Sequence, residues 1–206
     1  MSNAPSHWED VYRRKAPESV SWHQEDPRPS LDALAACGPE HRALIDVGGG
    51  ASRLVDTLLE RGWQDVSVLD ISGAALDHAQ ARLGPQAAQV TWIVADLTEW
   101  QPDRTYDVWH DRAVFHFLID AAQRSAYIAA LRQALRPGGL VILATFAPDG
   151  PDKCSGLPVR KYAAPDLLAQ LGDGFHLLRT FREVHHTPGD VPQPFTWAVF
   201  ARDAGV

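Results

Sequence analysis

Four aspartates recur through the first half of the chain: Asp46, Asp70, Asp96 and Asp111. Each stands at or near the end of a short apolar run, in "ALIDV", "VSVLD", "TWIVAD" and "VWHD". A carboxylate in such a place accepts hydrogen bonds from hydroxyl and amine groups. Between the first two acids lies "DVGGGAS", with Gly48 and Gly50 at alternate positions of a turn that opens into a helical pattern. Bare backbone at such a corner allows a ligand to lie against the main chain. Asp70 follows about 20 residues after the glycines, where an acid takes both hydroxyl hydrogens of an adenosine ribose.

These residues converge only if the segments between them alternate strand and helix, and the periodicity says that they do. "ALIDV" is a short apolar run, and "RLVDTLLERG" places Leu54, Leu58 and Leu59 on one helical face with Gly62 as its stop. "DVSVLDIS" repeats the strand, and "GAALDHAQARLG" repeats the helix with Leu76, Ala79 and Leu83 on one face. "QVTWIVADL" is a third strand ending in Asp96, and "YDVWHD" a fourth ending in Asp111. A long helix, "AAQRSAYIAALRQALRPGG", closes at Pro137 and leads into "LVILATF". The rhythm then breaks. "APDGPDKCSGLPVRKY" has no period and reads as a loop, "APDLLAQLG" as a short helix, and "FHLLRTFREV" and "QPFTWAVFARD" as two last strands. Their link, "HHTPGDVP", is too short for a crossover helix, so they pair antiparallel. The expected fold is α/β: a doubly wound, mainly parallel sheet of seven strands with a C-terminal antiparallel hairpin.

A chain of 206 residues holds one substantial core, and we expect a single domain over residues 1–206. Within it, residues 1–40 form a helical lid segment, 41–146 the ligand-binding core, and 147–206 an acceptor loop and the hairpin. No apolar run approaches the ~20 residues that cross a bilayer, and the polar start has no apolar signal core. A cytoplasmic location without membrane partners is the expectation. The net charge of −7, without a dense basic cluster, argues against a nucleic-acid partner. Two cysteines, Cys37 and Cys154, are too few and too far apart for a disulfide framework, and no metal site is expected.

The glycines argue against a dinucleotide enzyme, which ranks as a third alternative. The GxGxxG fingerprint needs a third small residue, and Arg53 stands there. Asp46 beside the turn also favours a cationic ligand over a pyrophosphate. Taken together, "DVGGGAS", "VLDIS", "VADLTEW" and "LRPGGLVIL" resemble, in order and interval, the motifs of the class I S-adenosylmethionine-dependent methyltransferases. Ser52 replaces a glycine often found in the first motif. The resemblance covers nearly the whole chain and implies a Rossmann-like fold with S-adenosylmethionine as cofactor and S-adenosylhomocysteine as product. By it, Gly48 and Gly50 border the cofactor's amino-acid end and Asp46 lies near its ammonium. Asp70 with Ile71 takes the ribose, Asp96 the adenine amine and Leu97 the ring nitrogens, while His110 and Trp22 complete the cofactor set.

The resemblance also places the methyl acceptor after the fourth strand, in "WHDRAVFHFL". Asp111 and His116 are then the candidate catalytic groups, with His110 and Asp111 bordering the methyl group and Phe115 in the acceptor pocket. The loop after the fifth strand adds Cys154, Arg160, Lys161 and Tyr162, of which Arg160 and Lys161 suit an anionic acceptor. Trp8 and Tyr12, four apart on a helix, together with Trp22 are lid candidates. The expected activity is methylation of a small molecule, with a thiol or carboxylate favoured because neither requires much help from a base. Protein lysine methylation and a non-catalytic cofactor sensor remain alternatives, and the oligomeric state is open.

Overall fold

The computed structural model describes residues 4–38 and 41–205. The chain opens with α1 (Ala4–Arg14) and α2 (Arg28–Leu34), then alternates β1 (Ala43–Val47), α3 (Leu54–Glu60), β2 (Asp65–Asp70), α4 (Gly73–Leu83) and β3 (Val90–Val94). β4 (Tyr106–Arg112), α5 (Ala121–Ala134) and β5 (Leu135–Phe146) follow. The loop expected after β5 contains a small hairpin, β6 (Lys153–Cys154) with β7 (Leu157–Pro158). α6 (Ala164–Leu171), β8 (Phe175–His186) and β9 (Pro192–Arg202) complete the chain.

Seven strands form one sheet in the order β3-β2-β1-β4-β5-β9-β8. The first five run parallel and β9 is antiparallel to both of its neighbours, as the short final link demanded. The order reverses between β1 and β4, and this switch point is where an open sheet of this kind leaves a crevice. β1 is buried along its whole length and β5 from Leu140 onward, which is why both read as continuous apolar runs. On one face Ile45, Trp109 and Leu143 pack against Tyr127 and Leu131 of α5 and Leu167 of α6. On the other, Leu44, Val68 and Ile142 meet Leu54 and Leu58 of α3 and Leu76 of α4. No described helix is long and apolar enough to cross a membrane.

Three local expectations change. β3 stops at Val94 rather than Asp96. The Asp96 carboxylate accepts from the Thr98 amide (2.9 Å) and hydroxyl (2.7 Å), which turns the chain out of the sheet. β4 runs one residue past Asp111, to Arg112. The long helix ends at Ala134, because Leu135 is already extended ahead of Pro137. In the last turn of such a helix the proline ring would clash with the preceding carbonyl.

Candidate active site

At the carboxyl ends of β1 to β4 the fold leaves a cavity of about 440 Å³. Its floor begins at the glycine corner. Gly48 and Gly50 adopt φ of +66° and +42°, a region that a Cβ makes costly. The packing is as demanding as the angle: a Cβ on Gly48 would sit 2.0 Å from Cγ2 of Val114, and one on Gly50 would lie 2.8 Å from Oδ2 of Asp70. The turn is held to the neighbouring strand by the Gly48 amide, which donates to the Leu69 carbonyl at 2.6 Å.

Asp70 closes β2 and lines the cavity with Ile71, Asp96 and Leu97. Its Oδ1 accepts from the Ser72 amide at 2.9 Å, and Ser72 caps α4 through the Ala75 amide. Burial pushes the Asp70 carboxyl up to about 7, and the nearby charges of Asp46 and Glu9 push the same way. A polar partner that donates to this carboxylate would restore its charge.

Beside the main cavity lies a smaller one of about 60 Å³, whose wall includes Asp46, Gly49, His110 and Ser30. Asp46 Oδ1 accepts from Nδ1 of His110 at 2.7 Å, and His110 Nε2 meets the Ser30 hydroxyl at 3.0 Å. Gly48, Tyr12, Trp22 and Arg112 border both spaces.

The N-terminal segment lies over the cavity. Trp8 meets Trp22 edge to face with ring centroids 5.4 Å apart and Phe117 at 5.1 Å. The Trp22 indole donates to the Tyr12 hydroxyl at 3.0 Å. Glu9 fixes this layer to the sheet by accepting from the Ser72 hydroxyl (2.8 Å) and the Ala74 amide (3.2 Å).

The two expected catalytic residues stand elsewhere, and neither lines the cavity. Asp111 is fully buried on the α5 side of the sheet. Its carboxylate accepts from the Val114 and Phe115 amides at 2.8 and 3.1 Å and from the Tyr127 hydroxyl at 2.7 Å. It clamps the tight turn in which Ala113 takes φ of +74°. Burial raises its carboxyl to about 6, with these donors pulling the other way. His116 is also fully buried, among Phe117, Phe146 and Phe195, and burial with the Arg112 charge lowers it to about 3. A ring held neutral inside the fold is a packing residue, so the expectation that either group works at the methyl is revised. Phe115 and Tyr162 belong to the core beside α5 and α6 rather than to the cavity wall.

The loop after β5 divides its residues by the small hairpin. Cys154, Leu157 and Pro158 face the cavity. Arg160 turns outward over the Tyr162 ring, and Lys161 pairs with Asp152 at 2.7 Å. The cation on the cavity wall is instead Arg112, which sequence reading passed over because it follows the acid that drew attention. Leu118, Asp120 and His7 also line the space without having been expected. Cys154 is buried, and its thiol is pushed up to about 11, so it stays protonated near neutral pH.

Comparison with known proteins bears on this arrangement directly. Residues 44–139 match the family model of a methyltransferase domain. A trans-aconitate 2-methyltransferase of Rhizobium etli is 32% identical over 150 residues, which cover 72% of this chain and 55% of that protein. Residues 44–139 therefore carry a methyltransferase domain. A malonyl-[acyl-carrier protein] O-methyltransferase of Paenibacillus sp. is 26% identical over 163 residues, covering 72% of this chain and 58% of that protein. The chain spans somewhat over half the length of these curated relatives. In three dimensions it is similar to an S-adenosylmethionine-dependent methyltransferase from Anabaena variabilis, with a TM-score of 0.75 and 19% identity over 98% of this chain and 96% of the other. At that identity the likeness speaks for the fold. The cavity lies where the fold's strand order reverses, with Asp70, the acid expected to take the ribose, on its wall.

Proposed function

We propose that the protein transfers the methyl group of S-adenosylmethionine to a small carboxylate-bearing molecule, releasing S-adenosylhomocysteine. One observation carries the reading: a single cavity joins the glycine corner, Asp70 at the end of β2 and Asp96 in the turn after β3 to an apolar end closed by Phe117, Leu118 and Leu157. The residues present suit the cofactor. Bare backbone at Gly48 forms part of the cavity wall, and Asp70 is a buried carboxylate that hydroxyl donors would suit. Asp70 would hold the ribose, Asp96 and Leu97 the adenine, and Asp46 the amino-acid end. The cofactor, when bound, supplies a methyl group on a positively charged sulfur.

The chain's own part is alignment and exclusion of water. Trp8, Tyr12 and Trp22 roof the cavity, and the acceptor oxygen is brought in line with the methyl by the walls around it. A carboxylate is already ionised near neutral pH and asks for no base. That agrees with Asp111 being bonded to Tyr127 and His116 being buried away from the cavity. The relatives named for trans-aconitate and malonyl O-methylation support an acid as acceptor.

The test is twofold. Calorimetry should detect uptake of S-adenosylhomocysteine, and incubation with methyl-labelled cofactor should pass label to members of a panel of small carboxylic acids. Label moving only to thiols, amines or protein would refute the acceptor class while leaving the cofactor reading intact.

A further inference from the structure

We propose that Arg112 is the receptor for a carboxylate of the methyl acceptor, gripped by the guanidinium edge that Nε and Nη2 form. This rests on the methyl-transfer reading above and deepens it by naming the side chain that selects the acceptor.

Arg112 is the last residue of β4, and it borders both the main cavity and the smaller one beside the glycine corner. Among the described residues it is the sole arginine or lysine on the wall of the main cavity. Two of its contacts fix its position: Nη1 donates to the Trp22 carbonyl at 3.0 Å, and the guanidinium lies over the Phe195 ring at 5.1 Å. The remaining nitrogens, Nε and Nη2, are buried and have no hydrogen-bond partner. Together they make the side of the fork whose two parallel N–H groups match the two oxygens of a carboxylate.

Such a group is expensive to keep. Two unmade donors on a buried cation cost free energy that a fold normally avoids. Glu183 steadies the charge at a distance, but its oxygens already accept from Gln24 (2.7 Å) and the Trp197 indole (2.6 Å). Burial lowers the tendency of Arg112 to hold its proton, yet an arginine remains charged at any physiological pH. The surroundings then select for an anion. Asp46, across the smaller cavity, also acts on the Arg112 charge but is paired with His110 at 2.7 Å, while Asp70 and Asp96 on the main cavity wall would repel a carboxylate. Nε and Nη2 are closed to solvent, so on this proposal a carboxylate meets them only when a neighbouring segment shifts.

The cofactor has a carboxylate of its own at its methionyl end, so the experiment must separate the two sources. Calorimetry on the full chain would measure S-adenosylhomocysteine, 5′-methylthioadenosine, which lacks that carboxylate, and, on protein saturated with S-adenosylhomocysteine, trans-aconitate and its trimethyl ester. We expect the wild type to prefer the free acid to the ester. Arg112→Gln should weaken trans-aconitate by roughly 30-fold or more, the usual penalty for breaking a buried charge pair, with S-adenosylhomocysteine affinity unchanged. Wild type that takes acid and ester equally, or a variant that keeps its affinity for the acid, overturns the assignment. So does a variant that loses S-adenosylhomocysteine but keeps 5′-methylthioadenosine, since Arg112 would then hold the cofactor. Should Arg112→Gln not fold, Arg112→Lys decides: it keeps the charge without the fork, and undiminished affinity for trans-aconitate in that variant counts against bidentate grip. Absence of any S-adenosylhomocysteine uptake by the wild type is a different result, and it removes the underlying methyltransferase reading instead.

Discussion

Asp70 gathers the electrostatic tension of the site into one side chain. Its folded value, about 7, lies above the ordinary carboxylate value because burial opposes its charge. The sign follows from proton counting. Between about pH 4 and about pH 7 the folded protein keeps a proton that the unfolded chain has released, so this acid's contribution to stability is full at low pH and is lost as pH rises through 7. Hydroxyls that donate to Asp70 favour its ionised form. Affinity for S-adenosylhomocysteine should therefore increase from about pH 6 to about pH 8, with proton release visible when calorimetry is repeated in buffers of different ionisation enthalpy. Asp70→Asn should weaken binding by about 10- to 100-fold at the upper end, the loss expected of hydrogen bonds to a charged group, and should flatten the pH dependence. This residue was legible in the sequence, because its distance from the glycines is set by one strand-helix-strand unit. Asp111 and His116 were equally visible as residue types, yet their side chains turn into the fold. Which way a side chain leaves a tight turn depends on contacts with Tyr127 and Phe146, distant along the chain.

At the scale of elements, α1 and the stretch through Trp22 form a separate layer on the sheet edge. Three edge-to-face aromatic pairs hold it, at ~0.5–1.5 kcal/mol each, together with the two bonds that Glu9 accepts. These bonds hold the Glu9 carboxyl below its usual range, so their help is present at neutral pH and fades as pH falls through that lowered value. Glu9→Ala should loosen this layer alone. We expect amides of residues 8–24 to exchange with deuterium about 5- to 30-fold faster, as a loss of 1–2 kcal/mol implies, while β1, β4 and β5 keep their protection. Uniform acceleration across the sheet would show that the layer is part of the global core. The helical pairing of Trp8 with Tyr12 was readable from spacing. What the pair packs against was not, since Ala75 and Phe117 come from elements remote along the chain.

For the molecule as a whole, the cofactor would bridge β1, β2 and β3 and touch the N-terminal layer, so binding should stabilise the entire fold. At S-adenosylhomocysteine 100-fold above its Kd, the linkage is worth about 2.7 kcal/mol, which for a chain of this size raises Tm by roughly 5–11 °C. Differential scanning calorimetry measures this, and Asp70→Asn at the same ligand concentration should show a smaller shift. A Tm that ignores the ligand would mean that these strand tips do not hold it.

The order of strands and helices, the parallel core, the closing hairpin and the place of Asp70 at the end of β2 were all determined by the sequence itself. They follow from periodicity, glycine and link length, which act within about thirty residues and need no partner to be read. Tertiary structure alone decided the allocation of side chains to the cavity. It turned Arg160 and Lys161 outward and Cys154 inward, buried Asp111 in a turn clamp, and left Arg112 with two open donors. The reason is that a side chain's surroundings are built from segments remote in sequence, and their packing, not local pattern, settles which polar group meets the ligand.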